Sequence, residues 1–363
     1  MNDKKNYEVP VSKHRNNRSI KILLAFLCVL IICAGVSFYI IYRQITNDDT
    51  HSLFDNPVKP PVAAESFESV GDASKTVTYG GKTYEKNEDI VNLLFLGIDY
   101  TKDRAHLKLG YRADVVLVCA VDTAAKKATL ISLPRDLYTT MHDIDVDTGK
   151  VTKTKQNRVN AAFAFGGGPK HYGYDNSMSC VEMFFKRECK LETPLDFTLD
   201  IPVYLYAGID IDGIAPVADS VGGIEVKLEY GIPGVGRKGE TVLLKGKKAE
   251  IYLRDRKNTP GGDLGRAKKE QDFMLKLAKK IKSMGAIEII LRLWDDLNKY
   301  VDTGLNTTQM LDFAKILMKV NIDEIEKYTI PGKSATKSGV SYYIHDEEET
   351  LKLLLDVYYN EVQ

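Results

Sequence analysis

The fold is decided by the stretch Ile-Val-Asn-Leu-Leu-Phe-Leu-Gly-Ile-Asp, residues 90–99. Its first seven residues are mostly apolar, as in a buried strand, and a glycine and an aspartate end the stretch. Two further apolar runs cover residues 115–121 and 128–133. Helix-like patterns follow, among them 158–165 and 266–284, with glycine-rich segments as stops. The sequence therefore predicts strands and helices in one chain, an α/β fold.

Charged side chains stand at the ends of these apolar runs. Asp99 and Arg135 each closely follow a run, and Asp114 directly precedes one. Ligand-binding residues of open α/β sheets cluster where strands end and loops begin. Antiparallel pairing of neighbouring strands would bring all three side chains to one edge of the sheet, so we expect a polar site there.

The two aspartates, Asp99 and Asp114, are candidate ligands of a metal ion. Mg²⁺ keeps bound waters and uses phosphate oxygens of its substrate, so a pair of carboxylates is sufficient to hold it. Mn²⁺ is the alternative ion. In the competing, structural interpretation, Asp99 ends a strand as a turn former and Asp114 pairs with Arg112.

Arginines suited to phosphate recognition recur later in the chain. A guanidinium group binds phosphate through two parallel hydrogen bonds. Arg254 and Arg256 are two positions apart, and they point the same way only if their segment is extended. Arg266 follows Gly265 at the start of a helical pattern, and a helix N-terminus favours anions. The competing interpretation of each is an ordinary solvated surface arginine.

An uncharged apolar run covers residues 22–42. As a helix it would be about 30 Å long, which matches the hydrocarbon core of a bilayer. Residues 1–21 carry six Lys/Arg against Asp3 and Glu8. This charge bias predicts a cytoplasmic basic tail, an uncleaved signal anchor and a C-terminal part outside the membrane. A cleaved signal peptide is the alternative.

The rest of the chain divides into two predicted parts. Residues 43–88 are polar and contain prolines, which is typical of an extended stalk. Gly80-Gly81 lies between two strand-like segments of this part and predicts a hairpin turn. Residues 89–363 contain the apolar runs and the charged motifs, and they are predicted to form the main domain.

The composition of the chain and its motifs exclude several classes of function. The chain has 50 basic and 50 acidic residues. Because the N-terminal tail is basic, the remainder is acidic, and a nucleic-acid-binding surface is not expected. The six histidines show no metal-ligand spacing, and the Gly-x-Ser-x-Gly motif of serine hydrolases is absent.

Two of the five cysteines, Cys180 and Cys189, are nine positions apart in the part predicted to lie outside the membrane. An oxidising exterior permits a disulfide that closes this small loop. Two unpaired thiols on or near a helix are the alternative.

Together, these motifs resemble the LytR-CpsA-Psr (LCP) phosphotransferases of the bacterial envelope. The pieces that carry the resemblance are Asn92-Leu-Leu-Phe-Leu-Gly-Ile-Asp99, Arg112-Ala-Asp114, Ser132-Leu-Pro-Arg-Asp136, Arg158-Val-Asn-Ala-Ala-Phe-Ala-Phe-Gly-Gly167, Ala218-Asp-Ser-Val-Gly-Gly-Ile224, Tyr252-Leu-Arg-Asp-Arg256 and Asp263-Leu-Gly-Arg266. Each piece is weak alone, but their order and the membrane anchor make the joint match specific. The resemblance implies an α/β domain with a mixed β-sheet sandwiched between helices, preceded by a single transmembrane helix.

The resemblance also implies an activity. LCP proteins transfer a glycopolymer from an undecaprenyl-pyrophosphate carrier to peptidoglycan and form a phosphodiester link, as in the attachment of teichoic acid or capsule. The expected partners are this lipid-linked polymer, peptidoglycan and membrane lipid, with no nucleic acid. The expected location is the cell membrane of a Gram-positive-type envelope, as a single-pass type II protein with its catalytic domain outside. A lipid-pyrophosphate hydrolase and a non-catalytic envelope regulator that binds lipid-linked precursors are the alternatives.

By motif position, the resemblance implies roles for individual residues. Asp99 and Asp114 would hold Mg²⁺, and either Asp136 or one of these two aspartates would accept the proton of the attacking hydroxyl. The residues expected around the pyrophosphate are Arg112, Arg135, Arg158, Arg254, Arg256, Arg266 and Gln271. Those expected to act in catalysis are Arg135, Asp136, Arg254, Arg256 and Arg266.

The chain departs from the LCP pattern at three positions. Members often carry lysine where this chain has Arg158, a change that keeps the charge but alters its shape. The family favours an arginine and a glutamine where Lys269 and Glu270 stand here. A carboxylate near a pyrophosphate would repel it unless it faces away or binds the metal.

Overall fold

The computed structural model describes residues 51–55, 75–100, 111–186, 197–210, 213–255, 257–284 and 300–362. The predicted tail and anchor, residues 1–42, and most of the predicted stalk lie outside these ranges. Among the described residues, no helix is both long and apolar enough to cross a membrane.

A mixed six-stranded sheet forms the centre of the domain. In chain order its strands are β3 (Ile90–Tyr100), β4 (Tyr111–Asp122), β5 (Lys127–Ser132), β8 (Leu205–Asp210), β11 (Val301–Thr303) and β12 (Glu326–Thr329). Their spatial order is β11-β8-β3-β4-β5-β12. The three central strands pair antiparallel, whereas β8 and β12 run parallel to β3 and β5. The three predicted apolar runs are therefore the central strands of one sheet.

Helices cover both faces of this sheet. Along β3, Leu94 and Leu96 point into one buried cluster, while Leu93 and Phe95 pack on the opposite face. The first face is covered by α1 (Ala162–Phe165), α2 (Gly173–Lys186) and α7 (Glu347–Tyr358). The second is covered by α3 (Ile214–Ser220), α4 (Lys247–Arg254), α5 (Gly262–Ser283) and α6 (Thr307–Lys319). The predicted mixed sheet between helices is confirmed, and burial on both faces explains why the strands are nearly continuous apolar runs.

Smaller sheets surround the central one. They are formed by β1 (Thr76–Tyr79), β2 (Lys82–Lys86) and β15 (Tyr359–Val362), by β6 (Tyr138–Ile144) and β7 (Val151–Arg158), by β9 (Ile224–Lys227) and β10 (Thr241–Leu244), and by β13 (Gly332–Lys337) and β14 (Val340–His345). The helical stretch predicted over 158–165 is confirmed except at its first residue, because Arg158 is the last residue of β7 and pairs with Tyr138, and a 3-10 turn (Val159–Ala161) and α1 follow it.

The predicted hairpin around Gly80-Gly81 is present. Strands β1 and β2 pair antiparallel, and the two turn glycines have φ angles of 59° and 77°. Glycine adopts such angles without steric cost. Because the C-terminal strand β15 pairs with β2, the hairpin belongs to the folded domain rather than to the stalk.

Residues 51–55 also belong to the folded domain. Leu53 is fully buried against strands of the central sheet. The side-chain amide of Gln309 on α6 donates to the carbonyl oxygens of Ser52 and Asp55, each at 3.0 Å. The fold therefore includes segments well before the predicted boundary at residue 89, because they cover apolar surface and pair strand edges.

Cys180 is a free, fully buried thiol on α2, whereas Cys189 lies outside the described residues. The Cys180 thiol donates to the Thr140 carbonyl at 3.2 Å, and burial raises its pKa to about 12. Because the thiolate is the reactive form, we expect Cys180 to resist iodoacetamide at about pH 8 in the folded protein. It should react after denaturation without reductant, as measured by peptide mass spectrometry. Labelling that needs reductant as well would instead support the predicted bridge to Cys189.

Candidate active site

A β-bulge places Asp114 at one edge of the central sheet. Strands β3 and β4 pair in register as far as Gly97 and Val115, but the next pair is Ile98 with Ala113. Asp114 is therefore the extra residue of β4, and a bulge turns such a side chain out of the regular alternation. Asp114 is only 5% exposed, so its carboxylate requires polar partners within the protein.

The partners of Asp114 come from the loop after β5 and from the segment after β7. Arg135 Nη1 lies 3.4 Å from Asp114 Oδ2, and Asn160 Nδ2 lies 3.5 Å from Asp114 Oδ1. The backbone supports this arrangement, since Asn160 N donates to the Arg135 carbonyl at 3.2 Å. The prediction that antiparallel strands bring Asp114 and Arg135 to one edge is confirmed.

A second ion pair extends this group of charges. Asp136 Oδ1 lies 3.1 Å from Arg158 Nε, and Asp136 Oδ2 lies 3.8 Å from Arg135 Nε. Arg158 also donates to the Ser341 carbonyl, from Nε at 3.1 Å and from Nη2 at 2.7 Å. We call Asp114, Arg135, Asp136 and Arg158 the edge cluster. Their side chains are between 3% and 25% exposed, so each charge is largely removed from water and is offset by an opposite neighbour.

Asp99 lies on the strand beside Asp114. It pairs with Arg112 in the ladder of β3 and β4, and Arg112 is two residues before Asp114. Gly97 permits the close pairing here, because a Cβ at this position would lie 2.7 Å from Val115 Cγ2. The two predicted metal ligands therefore occupy adjacent strands at the same edge.

The two aspartates fit an Mg²⁺ ion in number and in chemistry. Carboxylate oxygens are hard donors, and Mg²⁺ usually takes one or two carboxylates together with waters and substrate phosphate oxygens. Among the described residues, no group of three or more His, Cys, Asp or Glu side chains could enclose a metal. Asp99 and Asp114 would therefore suit an ion that relies on substrate oxygens to complete its coordination.

Arg254 is the last residue of α4. The next residue, Asp255, is extended, with φ −65° and ψ 119°. The helix therefore ends directly after Arg254, as is needed if Arg254 and Arg256 are to point the same way. Arg254 Nε lies 3.5 Å from Glu250 Oε1, and the side chain is 38% exposed. Arg256 lies outside the described residues. Of the two arginines predicted to bind phosphate together, the structure therefore shows the position of Arg254 only.

Helix α5 carries Arg266 and Gln271. Its motif glycine, Gly265, lies so close to the preceding turn that a Cβ there would be 1.8 Å from the Pro260 carbonyl oxygen. Gln271 is buried, and its amide donates to the Tyr328 carbonyl at 2.8 Å. This bond ties α5 to β12, and it argues against the predicted role of Gln271 in binding a pyrophosphate.

Comparison with known proteins assigns these motifs to one family. The sequence model of the LytR_cpsA_psr family matches residues 61–356, which include the whole edge cluster. The chain belongs to the LytR-CpsA-Psr family.

Relatives of this LCP chain include proteins named as transferases and one named as a regulator. The polyisoprenyl-teichoic acid–peptidoglycan teichoic acid transferase TagU of Bacillus cereus (strain AH820) is 28% identical over 324 residues, which cover 88% of this chain and 90% of TagU. The X-ray structure of a transcriptional regulator from Enterococcus faecalis is 26% identical, with a TM-score of 0.55 over 74% of this chain and 88% of the other. The crystal structure of B. subtilis TagV is 24% identical, with a TM-score of 0.57 over 75% of this chain and 98% of TagV, and it shows the same fold.

Two contributors to the edge of this LCP domain were not predicted from the sequence. Asn160 stands in the motif that begins at Arg158, and its contact with Asp114 has no local signal in the sequence. The β13–β14 hairpin reaches the cluster through Ser341 and through Tyr343 N, which donates to the Asp136 carbonyl at 2.8 Å. Ser341 is 183 residues from Arg158 in the sequence, so only the folded chain brings the two together.

Proposed function

We propose that this protein transfers a glycopolymer from an undecaprenyl-pyrophosphate carrier to peptidoglycan and forms a phosphodiester link. The edge cluster carries the proposal, because the half-buried Arg135 and two aspartates meet at one edge of the three central strands, beside Asp99. Such a set of charges suits a pyrophosphate with a bound divalent ion. The names of relatives such as B. cereus TagU support the same reaction.

In the proposed reaction, a sugar hydroxyl oxygen of peptidoglycan attacks the phosphorus atom that carries the glycopolymer. A new P–O bond forms, and the bond from that phosphorus to the bridging oxygen of the pyrophosphate breaks. Polyprenyl phosphate leaves with the electron pair, and the attacking hydroxyl loses its proton. Negative charge therefore grows on the leaving phosphate, and a fixed cation nearby lowers the barrier.

Arg135 is the residue best placed to supply that cation. It lies in a turn closed by a hydrogen bond from Leu137 N to the Pro134 carbonyl at 2.7 Å. Its guanidinium lies between two carboxylates, 3.4 Å from Asp114 and 3.8 Å from Asp136, so opposite charges on both sides favour this position before a substrate arrives. A donor that is already oriented does not need to reorganise during the reaction, which is the main source of electrostatic catalysis.

We assign to Asp136, one of the two carboxylates of the edge cluster, the role of accepting the proton from the attacking hydroxyl. It lies next to Arg135 in the chain, and its carboxylate is held by Arg158 Nε at 3.1 Å. Arg158 therefore orients Asp136 and joins it to the β13–β14 hairpin, in addition to placing a cation at the site.

Charge neutralisation on the pyrophosphate would come from several groups. Mg²⁺ bound by Asp99 and Asp114, or Mn²⁺ in its place, would neutralise phosphate oxygens as a Lewis acid. Arg112 is the ladder partner of Asp99 and adds a cation beside that position. Arg254, Arg256 and Arg266 remain proposed contacts of the same pyrophosphate.

The proposed carrier is a membrane lipid, and we propose a matching location for the enzyme. Residues 1–21 would lie in the cytoplasm, residues 22–42 would span the cell membrane once, and the folded domain would lie outside. The basic tail before an uncharged apolar run supports this type II orientation.

The test is a transfer assay with the purified full chain in detergent. The protein is incubated with a polyprenyl-pyrophosphate-linked saccharide, a peptidoglycan oligomer and Mg²⁺, and the products are identified by mass spectrometry. We expect a covalent saccharide–phosphate–glycan product. It should be absent with Asp99→Ala or with EDTA, and it should persist with Asp147→Ala, which changes an exposed aspartate outside the edge cluster.

Other products would contradict the proposal in distinct ways. Free saccharide phosphate without a glycan-linked product would identify a lipid-pyrophosphate hydrolase. Unchanged substrate that co-purifies with the protein would identify a regulator that binds lipid-linked precursors.

A further inference from the structure

A buried lysine on α5 holds the turn that follows Arg254. Lys269 is only 4% exposed. Its Nζ donates to the Asp255 carbonyl at 2.7 Å and to Thr259 Oγ1 at 3.0 Å, and it lies 5.5 Å from the centre of the Tyr252 ring. Both hydrogen-bond acceptors belong to the connection between α4 and α5, so the buried cation is directed at that connection.

The same turn has further internal bonds. We call Asp255, Asn258 and Thr259 the Asp255 turn. Asn258 Nδ2 donates to Asp255 Oδ1 at 2.6 Å, and Thr259 Oγ1 donates to the Asp255 carbonyl at 2.9 Å. The Tyr230 hydroxyl also donates to Thr259 Oγ1, at 3.1 Å. Lys269 is therefore the cation of a small polar network, in which both Lys269 and Thr259 donate to the Asp255 carbonyl.

The energetics tie the Lys269 charge to the geometry of the turn. A buried ammonium is strongly unfavourable unless hydrogen bonds replace its water, and here the Asp255 turn supplies them. If the turn moved, the cation would lose these acceptors and would be left buried without the hydrogen bonds that replace its water. Arg254 is bonded directly to Asp255 in the chain and ends α4. Its backbone position is therefore set by the same network.

We propose that Lys269 is a positioning residue that fixes Arg254 for the pyrophosphate of the carrier. This inference rests on the proposed function and names a residue through which that site is organised. Lys269 is too buried to contact a substrate at the surface, and its action passes through the Asp255 carbonyl and the end of α4. A single buried cation would thus keep an exposed arginine in its binding position.

The experiment uses the purified full chain in detergent with geranyl pyrophosphate and Mg²⁺, and it measures the dissociation constant by calorimetry. Lys269→Met keeps the length of the side chain but removes its donors. We expect it to raise the dissociation constant about tenfold, a change within the range measured for coupled neighbours. The matched control is Lys268→Met, because Lys268 is the exposed neighbour on the same helix. It should bind like the unchanged protein.

A double-mutant cycle separates positioning from general stability. Arg254→Ala should weaken binding by itself, and adding Lys269→Met to it should cause no further loss, because the lysine acts through that arginine. An equal loss in both backgrounds would overturn the inference, as would normal binding by Lys269→Met. If Lys269→Met does not fold, Thr259→Val, which removes one of the lysine's acceptors, is judged by the same criteria.

Failure of the proposed function gives a different result. In that case the unchanged protein itself would not bind geranyl pyrophosphate, and both proposals would fall. Binding by the unchanged protein that does not depend on Lys269 would leave the function standing and remove only this inference.

Discussion

Replacing Arg135 with alanine is expected to lower the rate of glycopolymer transfer by on the order of 10²–10³, with the fold retained. The change removes the guanidinium that lies 3.4 Å from Asp114 and 3.8 Å from Asp136, and with it the fixed cation at the leaving phosphate. Arg135→Lys should recover little of the rate, because an ammonium group lacks the planar fork that contacts two oxygens. The rate is measured with saturating substrates in the mass-spectrometric assay, and circular dichroism checks the fold.

The control for this prediction is Arg237→Ala. Arg237 is an exposed arginine in the loop between β9 and β10, so the same loss of charge at this position should leave the rate unchanged. If Arg135→Ala transfers at the normal rate, the edge cluster is a structural ion network and the assignment of Arg135 to catalysis is wrong.

Replacing Phe163 with alanine is expected to reduce the free energy of unfolding by about 3–5 kcal/mol. The Phe163 side chain is fully buried, and its ring makes edge contacts with Tyr174 at 4.9 Å and with Tyr111 at 6.2 Å between centroids. The total stability of a domain is about 5–15 kcal/mol, so this loss is a large part of it. The midpoint of urea unfolding, followed by circular dichroism, measures the effect.

Phe165→Ala is the matched control, two residues further along α1. Phe165 is only partly buried, and its ring faces the Lys155 ammonium at 3.2 Å. Its removal should cost less, about 1–2 kcal/mol, since a cation–π contact contributes roughly 0.5–1 kcal/mol at exposed sites and about 2 kcal/mol when desolvated. Equal losses in the two variants would show that α1 does not form part of the core as described.

Local sequence patterns were sufficient to predict the central strands and the charged residues that meet at one edge of the sheet. The apolar runs around residues 90–96, 115–121 and 128–133 report burial directly, and alternation of chain direction then places Asp99, Asp114 and Arg135 together. Gly80-Gly81 predicted its hairpin because two adjacent positive φ angles are a property of the turn itself. Patterns of this kind depend only on neighbours in the chain.

The roles of Arg158 and Gln271 could not be derived in this way. The segment from Arg158 has helical propensity, yet pairing with Tyr138 extends β7 through that residue. Gln271 stands in a motif that suggested phosphate binding, but burial against β12 gives its amide a carbonyl acceptor instead. In both cases a contact with another strand, β6 for Arg158 and β12 for Gln271, outweighs the local signal, because the free energy of packing and hydrogen bonding exceeds intrinsic preference.

The sequence by itself determined the α/β class, the family and the identity of the charged groups at the sheet edge, because these depend on residue type and order. Only the tertiary structure decided how those groups meet. A bulge directs Asp114 towards Arg135 and Asn160, the Ser341 carbonyl anchors Arg158 from 183 residues away, and Lys269 is buried under the turn after Arg254. Strand register, burial and long-range hydrogen bonds exist only once the chain has folded, and they determine which charges act together.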